Sequence, residues 1–242
     1  MIIRRSASSQ QLITQPEHAA LAARIMRQWD DTHFPESSRK TSILHAVEQH
    51  DCGWAAIDET LIVHETTGQL LDFLEVSDAI KRDTSSRGIE QLSSDPYAVA
   101  LVTQHRLHVY RRYAEHPEWR VFMADLTAAR DAYLHAAGHI SLAELVSDYA
   151  FVRAGDLASL AFCNNWTGVD PDDCGYAMRL QGTSLVISPD PFEGRTIEIE
   201  IATREIGNQS FSSAADARRA VAAAKIVVLR GLVAGAPTAP AA

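Results

Sequence analysis

Several polar side chains of this chain occupy positions on the apolar faces of its predicted helices. Residues three, four and seven positions apart share one face of a helix, so the apolar residues identify the face that points inward. Three histidines and two aspartates fall on such faces: His18, His50, Asp51, His105 and Asp156. Because they come from four different predicted helices, the chain must fold so that several buried polar groups are satisfied together.

Apolar residues at helical spacing dominate the first two thirds of the chain. Predicted helices begin at Pro16, near Ile43 and at Pro96, and two more cover 118–136 and 141–165. Pro16 and Pro96 are typical first-turn residues because their missing N–H has no partner there in any helix. The first part of the chain is therefore predicted to be mainly helical.

The pattern changes to that of strands after residue 164. Isoleucines alternate with polar residues from 197 to 201, and a hairpin is predicted around Gln181-Gly182. A final helix is predicted to run through Leu229, and short strands are predicted near 1–5 and 11–14.

We therefore predict a mainly α fold in three parts. Residues 1–165 form a helical bundle with short N-terminal strands, residues 166–233 form a smaller β-rich (α+β) annex, and 234–242 form a disordered tail. The annex could shape a substrate pocket or form a homodimer interface.

Composition excludes several classes of function. The net charge of −9 disfavours a nucleic-acid binder, because an acidic surface repels phosphate backbones. No apolar run approaches the roughly 20 residues of a membrane span, and the first residues lack the apolar region of a secretory signal. Three irregularly spaced cysteines form no disulfide framework. We expect a cytoplasmic protein that acts on a small molecule and binds neither membranes nor nucleic acid.

Two inward aspartates indicate a bound cation. An ionised carboxylate in an apolar interior costs several kcal/mol unless a cation compensates it. Arg106 or Arg153 could pair with one carboxylate, whereas a divalent or trivalent metal would compensate both and also use neutral imidazoles. This charge argument, and with it the enzymatic hypothesis, fails if Asp51 and Asp156 lie far apart, or if each is neutralised by its own arginine.

The spacing of these residues resembles a known signature. His18, the segment 44–53 with its His50-Asp51 pair, and the segment 154–160 with Asp156 resemble the H…HD…D pattern of the HD-domain superfamily. The resemblance covers residues 12–165. The chain is most similar to an uncharacterised bacterial branch of unknown function, which shares the segments 12–16, 53–54, 72–73, 95–97 and 191–192.

The resemblance implies an HD-type helical bundle around one or two metal ions. The ligands would be His18, His50, Asp51 and Asp156, with Asp51 at the catalytic centre and bridging the ions in two-metal members. His105 is the best additional ligand. Without cysteine, the ligand set suits iron, manganese, cobalt, nickel, zinc or magnesium.

Most characterised members of the superfamily are metal-dependent phosphohydrolases, and a smaller group uses two irons and dioxygen to oxidise C–H bonds. The leading hypothesis is a hydrolase of a small phosphoester. The alternatives are a di-iron oxygenase and a non-catalytic binding or regulatory module with a vestigial site.

Departures from the family pattern argue against some of the substrates that other members of the superfamily use. Trp54 stands where many members carry a lysine after the His-Asp pair, and the Gly-Tyr-Pro motif of cyclic-dinucleotide phosphodiesterases is missing. The residues expected to contact substrate are Trp54, Arg106, His108 and Arg153. His108 could instead be a further metal ligand, and His64, in a loop, is either another candidate ligand or a solvated surface residue.

Overall fold

The computed structural model describes residues 1–30, 34, 38–171 and 174–236. Its helices are α1 (Gln15–Met26), α2 (Ser38–Gln49), α3 (Ala55–Thr60), α4 (Asp78–Gln91), α5 (Pro96–Val109), α6 (Pro117–Ala136), α7 (Leu142–Asn164) and α8 (Ala214–Ala222). Its strands are β1 (Ile2–Arg5), β2 (Ser9–Ile13), β3 (Gly168–Val169), β4 (Ala177–Gln181), β5 (Ser184–Ser188), β6 (Thr196–Gly207) and β7 (Lys225–Gly235).

All seven strands belong to one sheet, in the order β1-β2-β6-β7-β5-β4-β3. The pairing is antiparallel except between β5 and β7, which run parallel. The predicted hairpin is confirmed as β4 and β5, and Gly182 in its turn has a φ of +62°, a conformation that glycine adopts without strain. The predicted alternating strand is confirmed as β6.

The prediction of a mainly α fold is wrong. Of the described residues, about 51% are helical and 20% are in strands, and the curled mixed sheet makes this an α+β fold. Two errors explain the difference. The segment predicted as the end of the last helix is β7, where Ile226, Val227 and Val228 favour a strand. The N-terminal strands also join the large sheet, because β2 pairs with β6.

Helices and sheet share one buried core. Met178, Ile201 and Val233 of the sheet lie in the same apolar cluster as Leu101 of α5 and Leu157 of α7. The division into 1–165 and 166–233 stays a prediction. Strand β7 continues to Gly235, inside the range predicted as a tail, and residues 237–242 lie outside the described part of the chain.

Helix α5, which carries two residues of the site described below, begins with the predicted cap. Asp95 accepts a hydrogen bond from the backbone N–H of Ala98 at 3.0 Å and lies 3.1 Å from His45 Nδ1. Burial alone would raise the pKa of Asp95, but these hydrogen bonds outweigh it and lower the pKa below the ordinary 3.8.

We expect Asp95→Ala to destabilise the protein by about 1 kcal/mol at neutral pH, the usual cost of losing an N-cap. Because the folded-state pKa is depressed, the carboxylate's contribution is present above 3.8 and is lost as the pH falls through the folded value. Urea denaturation at several pH values should show that the difference in unfolding free energy between Asp95→Ala and the wild type becomes smaller as the pH falls. Asp95→Asn keeps the cap and is the control, so a loss at neutral pH equal to that of the alanine variant would contradict this account.

Candidate metal centre

Four elements bring the predicted ligands together. His18 lies on α1, His50 and Asp51 directly follow α2, and His105 and Asp156 lie on α5 and α7. Each of these five side chains is buried. The predicted inward orientation therefore holds for all five.

Two glycines allow the elements to approach closely. A Cβ on Gly155, next to Asp156, would lie 2.7 Å from Met26 Cγ of α1. A Cβ on Gly53, two residues after Asp51, would lie 2.0 Å from the carbonyl oxygen of Thr84 in α4. Both positions therefore need glycine for the observed packing, and both lie beside a residue of the site.

The ligand atoms of four residues converge on one point. His18 Nε2 and His50 Nε2 lie 3.2 Å apart, and Asp156 Oδ1 lies 3.3 and 3.4 Å from them, respectively. Asp51 Oδ2 lies 3.8 Å from His18 Nε2 and 3.6 Å from His50 Nε2. The structure thus brings together the four residues that the H…HD…D pattern selects. Within the described residues, His18, His50 and Asp51 form one group that could hold a metal ion, and His50, His105 and Asp156 form a second group that shares His50.

The other ring nitrogens fix the tautomers of the two central histidines. His50 Nδ1 lies 2.7 Å from the carbonyl oxygen of Val47, which can only accept a hydrogen bond. Ser159 Oγ donates its proton to the carbonyl oxygen of His18, so His18 Nδ1 must donate to Ser159 Oγ at 2.8 Å. When neutral, both rings therefore present a lone pair at Nε2, as the hydrogen-bond partners of metal-binding histidines typically ensure.

Arginines neutralise both carboxylates, contrary to the expectation that at most one would be paired. Arg106 Nη1 lies 2.9 Å from Asp51 Oδ1, and Arg153 Nη1 lies 2.7 Å from Asp156 Oδ2. This is the outcome named above as counting against the hypothesis, so the charge argument for a metal is wrong and an enzymatic function needs support of a different kind. The ion pair of each arginine, however, uses one oxygen of its carboxylate, and the other oxygen of that carboxylate faces the histidines.

Buried hydrogen-bond acceptors without a donor, rather than uncompensated charge, are the reason to expect a cation at this site. Two imidazole lone pairs and two carboxylate oxygens face one another with no proton between them when the histidines are neutral. Such a group of buried acceptors needs either an added proton, giving an imidazolium, or a metal ion. These residues could therefore hold a metal ion, although the arginines already balance the carboxylate charge.

The pKa shifts of His50, Asp51 and Asp156 also arise from the close packing of imidazoles and carboxylates at this site. Burial alone would lower the pKa of His50, but the neighbouring carboxylates outweigh it and raise the pKa. Burial alone would have the opposite effect on Asp51 and Asp156 and would raise their pKa values. For Asp51, His50 and Arg106 outweigh it and lower the pKa. Hydrogen bonds from His18 and His50 hold the pKa of Asp156 well below its usual range. Positive charge is thus favoured at the centre.

His105 lies at the edge of the group. Its Nε2 is 3.9 Å from Asp156 Oδ2, and its Nδ1 is 3.3 Å from the hydroxyl of Tyr149. Burial holds the pKa of His105 well below 6.5, so the ring is neutral and suited to binding a cation.

A cavity of about 510 Å³ opens onto this centre. Asp51, His105 and Asp156 line it together with three of the predicted substrate contacts, Trp54, Arg106 and Arg153. His108 is not among its lining residues and packs instead against Tyr149, with ring centroids 5.5 Å apart. His64 Nδ1 accepts from the backbone N–H groups of a surface turn, away from the centre.

Several polar lining residues were not predicted from the sequence, among them Gln15, Lys81, Arg111 and Arg112. Gln15 lies one turn before His18 on α1, and the helical spacing could have identified it as inward. The three cations come from α4 and from the turn after α5, where charged residues are ordinarily solvated. The periodicity contains no signal that these side chains face a cavity.

Within the described ranges, no helix combines the length and the apolar character needed to cross a membrane. No curated protein and no solved structure matches the chain. One family model does match, over residues 1–208, which include every predicted metal ligand. On that match the chain belongs to DUF3891, a family of proteins of unknown function.

Proposed function

We propose that this protein is a metal-dependent hydrolase of small phosphoesters. The observation that carries the proposal is the pair of Nε2 lone pairs on His18 and His50, held by Ser159 and Val47 and facing one oxygen each of Asp51 and Asp156. The resemblance to the HD-domain superfamily supports the same assignment, because its metal ligands map onto these four residues.

The donor set fits a divalent ion of the first transition series or magnesium, since it combines imidazole nitrogen with carboxylate oxygen. Such an ion, when bound, lowers the pKa of a coordinated water toward ~7 and polarises a phosphoryl oxygen. His18, His50, Asp51 and Asp156 would hold it, and His105 lies close enough to complete the set.

The remaining residues prepare the site for an anion. Arg106 fixes the turn after α2, because Nη2 donates to the carbonyl oxygen of His50 while Nη1 contacts Asp51. Arg153 holds Asp156 through a contact of the same kind. Both guanidinium groups line the cavity, where they would stabilise the negative charge of a phosphoryl group and of the transition state.

The ligand geometry supports one ion rather than two. The two potential metal groups in the described part of the chain both need His50, and its Nδ1 is already bonded to Val47. A single Nε2 lone pair binds one ion, so the groups describe alternative sets around one position. This favours hydrolysis over the di-iron oxygenase alternative.

Metal titration tests the proposal. We expect EDTA-treated protein to bind one equivalent of Mn²⁺, Zn²⁺, Co²⁺, Ni²⁺, Fe²⁺ or Mg²⁺, with a rise in thermal midpoint, and to release inorganic phosphate from a panel of small phosphomonoesters. Asp156→Asn, which keeps the side-chain shape, should lose both properties. If no metal binds, the centre holds a proton instead and the non-catalytic module is favoured. Two equivalents of iron with oxygen-dependent turnover would instead support the oxygenase.

A further inference from the structure

The cavity contains polar atoms near the metal ligands whose hydrogen-bonding capacity is unused. Gln15 is only 1% exposed, and its Oε1 has no hydrogen-bond partner among the described residues. The same holds for Nε of Arg106, whose two other nitrogens contact His50 and Asp51. Both residues line the cavity, and buried polar groups ordinarily have hydrogen-bond partners. The two atoms therefore indicate a ligand that offers a donor to Gln15 Oε1 and an oxyanion to Arg106 Nε at this end of the cavity.

The other end of the cavity is cationic. Lys81 is 7% exposed, and its Nζ donates to the carbonyl oxygen of Leu74, with Asp78 no closer than 3.7 Å. Arg112 contacts Tyr113 through the hydroxyl and the ring face, and within the described ranges no carboxylate lies at ion-pair distance from it. The Lys81 ammonium lies 5.8 Å from the same ring. Two cations therefore gather around Tyr113.

The two groups of cations adjoin different rings of one aromatic pair. Tyr110 lies one turn after Arg106 at the end of α5, and its ring centroid is 6.3 Å from that of Tyr113. Arg106 therefore lies beside the first ring of the pair, whereas Lys81 and Arg112 lie beside the second. We take the two groups as separate binding positions for this reason.

The cations outnumber the acids along the cavity. Lys81, Arg106, Arg111, Arg112 and Arg153 line the cavity, against Asp51, Asp156 and Asp170, although the chain as a whole has a net charge of −9. Concentrating positive charge in the cleft of an acidic protein focuses the field on anionic ligands.

We propose that the cavity binds an organic phosphate with two anionic ends. One phosphate accepts a hydrogen bond from Nε of Arg106 and donates one through a P–OH group to Oε1 of Gln15, beside the metal ligands, and the second anionic group lies at Lys81 and Arg112. This rests on the proposed function for the first end only. The second end is a specificity subsite and takes no part in the hydrolysis.

Calorimetric titration with short alkanediol bisphosphates of increasing chain length, each compared with its monophosphate, tests the proposal. We expect at least one bisphosphate to bind wild-type protein about tenfold or more tightly than its monophosphate, as charge-assisted hydrogen bonds imply. Arg112→Met should abolish the preference for the bisphosphate over its monophosphate. Lys81→Met should do the same, and the exposed Arg112 variant keeps the test valid if the buried Lys81 variant does not fold.

Arg87→Met is the matched control, because Arg87 is an exposed cation on α4 that pairs with Asp83 outside the cavity. Equal affinity for bisphosphate and monophosphate at every length would overturn the proposal, as would an equal loss in the Arg87 variant. Titrations with and without Mn²⁺ separate this result from the proposed function. A bisphosphate preference that persists in protein unable to bind metal supports the subsite while the hydrolase assignment fails.

Discussion

His50→Ala is expected to weaken divalent metal binding by more than about 100-fold and to abolish phosphate release. Changes to residues that only hydrogen-bond to a metal ligand typically cost roughly 10- to 100-fold, and His50 would be a direct ligand. The loss should be large because His50 Nε2 lies within 3.6 Å of a ligand atom from each of His18, Asp51 and Asp156. Isothermal titration with Mn²⁺ and a phosphate-release assay measure the two effects.

Two further variants make this result specific. Ser159→Ala removes the acceptor for His18 Nδ1 without removing a ligand, so its effect should be smaller, at roughly 10- to 100-fold. His139→Ala changes an exposed histidine and should leave metal binding unchanged. If His50→Ala bound metal as tightly as His139→Ala, the metal centre would have to be abandoned.

Gly53→Ala is expected to destabilise the fold by about 3 kcal/mol or more. Its Cβ would meet backbone atoms of α4, the Thr84 carbonyl oxygen at 2.0 Å and the Gly88 nitrogen at 2.7 Å. Backbone cannot move aside as a flexible side chain can, so α4 would have to shift. Because Gly53 follows Asp51 by two residues, metal affinity should fall together with stability.

Gly88→Ala is the control for this interface. Gly88 faces Gly53 from α4, but a Cβ there would have its nearest contact at 3.6 Å, which is an ordinary distance. Alanine also favours a helix interior by up to about 1 kcal/mol over glycine, so this variant should be neutral or slightly more stable. Urea denaturation of the two variants checks the pair. Similar destabilisation by both would mean that the close approach of α4 is not what requires Gly53.

The inward orientation of the candidate ligands on helices could be predicted because helical periodicity is a local property, whereas His50 and Asp51 lie just beyond the end of α2. A histidine three or four residues from buried apolar residues must share their face, so His18 and His105 are identified without knowledge of their partners. The pairing of Arg106 with Asp51 and of Arg153 with Asp156 shows the limit of this argument. Periodicity indicates that a side chain points inward, but the group that it meets depends on how the elements pack.

The sheet shows the same limit on a larger scale. Its strands β2 and β6 could each be predicted from their sequences, yet Gln11 pairs with Glu205 across nearly the whole chain. No local pattern specifies such a partner, because pairing depends on the register and approach of distant segments. The prediction from the sequence therefore assigned β2 and β6 to separate parts of the molecule, and for this reason it missed the shared sheet and gave the wrong fold class.

By itself the sequence determined where most helices begin, which faces they bury and that the five candidate metal ligands are among the polar side chains that point into the core. These properties depend on residues within a few positions of one another, through capping, spacing and hydrophobicity. Only the tertiary structure decided that Gln15, Lys81 and Arg112 line one cavity with the candidate metal centre. A charged residue in a sequence looks the same whether it faces water or a ligand, and the packing of α4 and α5 alone distinguishes the two.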